Sequence, residues 1–264
     1  MPFIAGVELS PSWGHFNAYP IDAGMSLAVD TSTASVDALF AEARRLGASI
    51  VQVNHPLIPY GYFTSLAAGV APGGFNPAFE LVEINATETE TDEAVFQRMW
   101  EFWNAGHRYY LSAGTDTHDV WNVLSGRIRA YAHVDGALTA PAYLAALRSG
   151  HAYVSYGPLI YPVVDFGDTL QVKPGAAFKL SFDLESVTGL DRAELIGGGM
   201  SAASRSFDGN PERSRVDFEL RTAHATWYAL VVEDAQGRKA YSNPIWVDPV
   251  ELPLAPATAA RHPF

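Results

Sequence analysis

The stretch VDALFAEARRLGASIVQVNHP, residues 36–56, decides how the amino-terminal part of the chain is read. Val36, Leu39, Phe40, Ala43 and Leu46 recur at helical spacing, with Thr33 or Ser35 ahead of them as the cap and Gly47 behind them as the stop. The run SIVQV at 49–53 then reads as a strand ending at Asn54, His55 and Pro56. A helix followed at once by a strand with a polar end is the pattern of an α/β fold, where loops beyond the carboxyl ends of strands carry the chemistry.

The same alternation extends in both directions. Upstream, GVELS (6–10) places Glu8 in a short apolar run and WGHFN (13–17) places His15 in a turn. Downstream, a Gly/Pro-rich stretch from about 57 to 78 reads as a long loop carrying Tyr60, Tyr62 and Phe63. LVEIN at 81–85 reads as a strand, and the acidic segment ETETDE (88–93) opens a helix with Val95, Phe96, Met99, Trp100, Phe102 and Trp103 on it, stopped by Gly106. YYLSAG at 109–114 is a strand that delivers Asp116 and His118; a strand near 127–133, a helix capped by Thr139 with Pro141 in its first turn, and a strand at 152–155 follow.

After Gly157 and Pro158 helical periodicity stops. Segments at 160–166, 178–184, 192–197, 215–220, 226–233 and 239–247 are short, β-branched or aromatic, and parted by turn residues such as Asp208-Gly209. Val216, Phe218 and Leu220 alternate with Arg215, Asp217 and Glu219, the period of a half-buried strand. This part is expected to be a small antiparallel sandwich. The run Gly197–Gly199 lies among strands rather than opening a helix, so it is no dinucleotide loop.

Composition excludes several functions. The 264 residues are 48% hydrophobic and 17% charged, which fits a globular chain with a sizeable core. A formal charge of −12 with no basic stripe argues against a nucleic-acid partner. With no cysteine, disulfides, thiolate metal sites and a cysteine nucleophile are all excluded, and any metal must be held by His, Asp and Glu. No signal-peptide pattern and no run of about 18 apolar residues occurs, so no membrane partner is expected and a cytoplasmic location is the default. No G-x-S-x-G is present, against a serine hydrolase.

Five residues of metal-ligand type therefore stand out at strand ends: Glu8, His15, His55, Asp116 and His118. Imidazole and carboxylate together suit Zn, Mn or Fe. In SAGTDTHD (112–119) the D-x-H spacing lets Asp116 and His118 point to one side of their loop. Asp116 and His118 are also the candidate catalytic pair, Asp116 to orient or deprotonate a metal-activated water and His118 as ligand or acid/base. His107, His133, His151, His224 and His262 read as structural.

The strings GVELS, GHFNAYP, NHP, EINA, SAGTDTHD and GHAYVSYGP, followed by a tail ending YSNPIWV, resemble the polymerase-and-histidinol-phosphatase (PHP) superfamily, and within it the carbaryl-hydrolase-like metallohydrolases. The resemblance implies a distorted (βα)7 barrel with metal ions at the carboxyl face and hydrolysis of phosphoesters or related esters. By position, Glu8 matches a metal-bridging glutamate, His15 and His55 the histidines completing a site with it, and Asp116 and His118 the late ligands. Glu83 and Asn85 match a strand end near the site, without an assigned ligand role. Members of that family begin with an H-x-H strand that this chain lacks, so the implied barrel is truncated at its amino terminus and the centre holds one or two ions. The open barrel edge predicts a homodimer or larger homo-oligomer.

The expectation is thus a truncated, distorted PHP-type barrel over 1–163, a β-sandwich over 164–250 and a loose tail over 251–264. Its activity would be metal-dependent cleavage of a small-molecule ester, of phosphotriester or phosphodiester type and extending to carboxyl esters or carbamates. Asn17, Tyr19, Tyr60, Asn85 and Trp121 lie near the motifs and are the candidate substrate contacts. The rival reading is a metal- or carbohydrate-binding remnant without turnover.

Overall fold

The computed structural model describes residues 3–85, 89–119, 121 and 125–251; the tail expected to be loose lies, from 252 on, outside the described residues. Two strands, β1 (Val7–Leu9) and β2 (His15–Tyr19), pair antiparallel, and β3 (Ile50–Asn54) joins antiparallel to β2. The next two, β4 (Leu81–Asn85) and β5 (Tyr110–Gly114), add in parallel, giving a five-stranded sheet in the order β1-β2-β3-β4-β5. Between strands run α1 (Val36–Arg45), α2 (Tyr62–Ala67) and α3 (Thr89–Asn104). Ser35 caps α1, its Oγ accepting the Ala38 N–H at 3.3 Å, and Gly47 ends that helical segment at φ +97°.

Both β3 and β4 are buried along their whole length, and their alternation separates two kinds of face. Val51, Val53, Val82 and Ile84, with Leu9, Phe16 and Leu111, pack against Leu39 and Phe40 of α1, Tyr62 and Phe63 of α2, and Phe96 and Met99 of α3. Gln52, Asn54, Glu83 and Asn85 fall on the opposite face, whose lower end is closed by Leu144 and Leu147 of α4 (Ala140–Ser149) against Ile50, Leu81 and Tyr110. Thr139 caps α4.

The rest of the described chain is β. An eight-stranded sheet contains β6 (Arg129–Ala132), β7 (Ala152–Ser155), β9 (Thr169–Val172), β11 (Leu190–Gly197), β12 (Met200–Ser206), β14 (Thr226–Asp234), β15 (Lys239–Ser242) and β16 (Ile245–Pro249). A three-stranded sheet, ordered β13-β10-β8, contains β8 (Leu159–Pro162), β10 (Ala177–Glu185) and β13 (Arg213–Arg221). Leu180, Phe182, Val216 and Phe218 from the smaller sheet meet Leu195, Leu230, Val232 and Ile245 from the larger one in a second core, which makes a sandwich. No helix among the described residues is long and apolar enough to cross a membrane.

This architecture corrects the fold class drawn from the sequence. A truncated, distorted (βα)7 barrel requires successive parallel strands, and only β3-α2-β4-α3-β5 is such a run. The connection between β1 and β2 spans only residues 10–14, far short of the dozen or so a parallel crossover needs, so those strands pair antiparallel. Strands β6 and β7 are antiparallel to each other and do not extend the five-stranded sheet: β7 pairs with β15, so hydrogen bonding crosses position 163 into the eight-stranded sheet. The chain is a short mixed sheet with helices joined to a β-sandwich.

The turn after β14 is a test of how the sandwich is held. Asp234 is buried; its Oδ1 accepts the backbone N–H groups of Gln236 (3.0 Å) and Arg238 (2.9 Å), and its Oδ2 accepts Arg238 Nε at 2.8 Å and Thr188 Oγ1 at 2.9 Å. Burial opposes its ionisation, but the Arg238 N–H and guanidinium and the Thr188 hydroxyl hold the carboxyl below its ordinary value of 3.8. A carboxyl depressed on folding adds stability above its unfolded pKa and loses it as pH falls through the folded one. Asp234→Ala is therefore expected to lower the urea unfolding free energy by about 2–3 kcal/mol at pH 7. The difference should shrink once the pH drops below the ordinary aspartate range.

Candidate metal centre

Three of the five sequence candidates converge. Glu8 comes from the middle of β1, His15 opens β2, and His55 is the first residue beyond β3. One ligand atom from each lies within 4.8 Å of the other two. The imidazoles of His15 and His55 stand 4.9 Å apart at 68°, and Tyr60 packs on both, with ring centroids 5.3 Å from His15 and 5.8 Å from His55.

His55 adds an observation of its own. Its side chain is 4% exposed, and Nδ1 is buried with no hydrogen-bond partner. A buried polar atom left unpartnered is costly, and a cation would satisfy it. Burial, with His15 alongside, pushes the His55 pKa below its ordinary value, which favours the neutral ring that binds metal. His15, whose Nδ1 stands 3.6 Å from Glu8 Oε1, holds the Glu8 carboxyl down at about 2; burial opposes this and Asn54 Nδ2, donating at 2.8 Å, assists. Two imidazoles and an ionised carboxylate form a donor set for Zn, Mn or Fe, and three protein ligands leave room for water or substrate.

Asp116 and His118 lie on the loop after β5 and are not members of this convergent group. His118 is 82% exposed at its side chain, with Nδ1 2.7 Å from the Asp116 carbonyl oxygen. Asp116, at φ +47°, is near enough for its charge to act on His55 and on Glu83.

Beside Glu8 a cavity of about 420 Å³ runs across the polar face of the sheet, lined by Asn17, Tyr19, Gln52, Glu83, Ser112 and Tyr143 among others. Among the described residues no Lys or Arg lines it. The Tyr19 hydroxyl donates to Gln52 Oε1 at 2.9 Å, and burial raises its pKa well above the ordinary tyrosine value. Of the substrate candidates, Asn17 and Tyr19 thus line the cavity and Tyr60 covers the histidines. Asn85 is buried behind them, with Nδ2 3.5 Å from Glu83 Oε2. Trp121 is 91% exposed and does not line this cavity.

Sequence reasoning left Glu83 and Gln52 without a role. Glu83 is 4% exposed, and burial raises its carboxyl to about 7 against the lowering influence of the His55 N–H and the Asn85 amide. The signal was present: IVQVN and LVEIN both carry polar residues two apart in otherwise apolar strands, which puts Gln52 with Asn54, and Glu83 with Asn85, on one face.

No family model matches the chain, and no curated protein does. Among solved structures with partial likeness are the fibronectin(III)-like modules of Clostridium thermocellum CbhA, at 6% identity and TM-score 0.27 over 34% of this chain and 95% of that one. Others are the superoxide reductase (Neelaredoxin) of Ignicoccus hospitalis, at 13% and 0.27 over 36% and 82%, and the CARDB domain of PF1109 from Pyrococcus furiosus, at 8% and 0.26 over 35% and 96%. The resemblance to PHP metallohydrolases does not hold: no family model supports it, and the strands that should continue a barrel belong to a sandwich. The phosphoesterase and phosphotriesterase activity carried with it loses that support.

If Glu8, His15 and His55 form one centre, calorimetry on metal-stripped protein should find one equivalent of Zn. His15→Ala and His55→Ala should each weaken binding by more than the roughly 10–100-fold that outer partners of a metal cost. His118→Ala should leave the stoichiometry at one.

Proposed function

We propose that the chain is a metal-dependent hydrolase acting on neutral or singly charged esters, with the metal held by Glu8, His15 and His55. The observation that carries this reading is the buried, unpartnered Nδ1 of His55 inside a group of donors within 4.8 Å of one another. A divalent ion held by these three residues would lower the pKa of a bound water from about 15.7 toward roughly 7 and so supply a nucleophile at neutral pH. No protein nucleophile is then needed.

The chain's own residues do the rest. Glu8 stays ionised down to about pH 2 and His55 is kept neutral by burial, so both are in the metal-binding form at pH 7. Tyr60 shields one side of the imidazoles. Asp116, within electrostatic reach of His55, is the candidate to orient and deprotonate the water. The adjoining cavity is lined by Asn17, Ser112 and Tyr143 and, among the described residues, by no cationic side chain and by two acids, Glu8 and Glu83. With the ion's charge offset by these acids and no cationic side chain beside it, a dianionic monoester would be poorly neutralised there, and an uncharged or singly charged ester suits the site better.

The test is a panel of 4-nitrophenyl acetate and bis(4-nitrophenyl) phosphate with Zn or Mn, before and after chelation. Turnover should vanish on chelation, return on adding metal, and be lost in His55→Ala; Asp116→Asn should retain the metal yet lower kcat by about 10²–10⁴. Silence with every metal in a protein that binds one would leave a metal-binding module without turnover and overturn the reading.

A further inference from the structure

We infer that Glu83 is the positioning residue of the centre, fixing His55 in its ligand orientation, and that Gly114 is the slot that admits the Glu83 carboxylate. The inference rests on the metal reading above.

His55 stands where β3 ends, and its backbone is in the left-handed region at φ +26°, which residues other than glycine rarely adopt. A turn of that kind persists only where its surroundings hold it. One hold lies on the far side: Phe63 N–H donates to the Pro56 carbonyl at 3.0 Å, and a Cβ on Gly61 would fall 2.4 Å from that carbonyl. The other is Glu83, whose Oε2 accepts the His55 backbone N–H at 2.9 Å. A carboxyl group offers a peptide N–H an acceptor oxygen whether or not it is ionised.

Besides the His55 N–H, Glu83 receives only long hydrogen bonds, from Gln52 Nε2 and Asn85 Nδ2 at 3.5 Å each. It is a buried acid with no Lys or Arg ion pair among the described residues, and an apolar side chain would fill the volume at lower cost. Space for it is reserved by the neighbouring strand: a Cβ on Gly114 would lie 1.9 Å from Glu83 Oε1. Gly114 lies outside the left-handed region, so the requirement for glycine there is the close approach of the Glu83 carboxyl and not the backbone. Acid, glycine and left-handed histidine form one unit spread over β3, β4 and β5.

The experiment titrates full-length, metal-stripped protein with Co(II) and follows both affinity and the visible absorption bands, which report ligand geometry independently of turnover. Glu83→Gln keeps an oxygen acceptor and should bind within about threefold of wild type, whereas Glu83→Leu should bind roughly 10–100-fold more weakly, with an altered spectrum. Gly114→Ala, which displaces the carboxylate without removing it, should reproduce the leucine result and carries the test if Glu83→Leu does not fold. A merely structural residue would lower Tm and leave Co(II) affinity and spectrum alone; that outcome in a folded Glu83→Leu or Gly114→Ala overturns the inference. If wild type and His55→Ala bind Co(II) alike, it is the metal centre itself that fails.

Discussion

The structure depends on two strands that are buried throughout and yet polar at alternate positions. In β3 and β4 the residues facing the helices are Val51, Val53, Val82 and Ile84, and those facing away are Gln52, Asn54, Glu83 and Asn85. Buried polar groups are tolerated only when they satisfy one another. Here they do so in a chain: the Tyr19 hydroxyl donates to Gln52, the Gln52 amide donates to Asn54 Oδ1 at 2.9 Å, and Asn54 Nδ2 donates to Glu8. Glu8 therefore sits at the end of a hydrogen-bonded relay anchored in the sheet. Its orientation toward His15 is held by Asn54, which lies opposite His15 in the pairing of β2 with β3.

Local structure was legible wherever a single side chain fixes it. Ser35 and Thr139 accept the N–H groups of Ala38 and Ala142, as their placement before apolar helical repeats predicts. The segments 178–184, 215–220 and 226–233 fall inside β10, β13 and β14, because alternation survives in strands with one face to a core. Elsewhere the local signal is too weak. The region 57–78 read as loop contains α2, only six residues long and too short for a helical period to show. The strand β12, MSAASRS, is small and polar because it is an edge, and no hydrophobic pattern marks it. The stretch 239–247 is two strands because Asn243-Pro244 breaks it.

The larger misreading concerned direction. Apolar periodicity identifies a strand but says nothing about whether it runs with or against its neighbour, and an α/β alternation of β2, α1, β3 invites a parallel assignment that the pairing contradicts. That Glu8, His15 and His55 are donors of metal-ligand type was legible from residue type; that they come within 4.8 Å of one another is a finding of the fold. For Glu83 the alternation of LVEIN marks the face it lies on, whereas its contact with Gly114 on the neighbouring strand is visible only in the fold.

The sandwich covers the end of the mixed sheet at β5. A strand with no further partner in its own sheet leaves a row of backbone groups to be satisfied. The Leu111 N–H is taken by Asn243 Oδ1 at 2.7 Å, from the break between β15 and β16, and the same Asn243 donates Nδ2 to the Ala152 carbonyl on β7 at 2.9 Å. On the helical side, Trp103 of α3 meets Trp227 of β14 at 4.9 Å, and Trp227 Nε1 donates to Asn104 Oδ1 at 2.8 Å. Val154, Ile196, Ala229 and Tyr241 accordingly belong to the same hydrophobic core as the helices. The sandwich closes the sheet that a barrel would have closed with further strands, and it fixes β5, and with it Gly114, against Glu83.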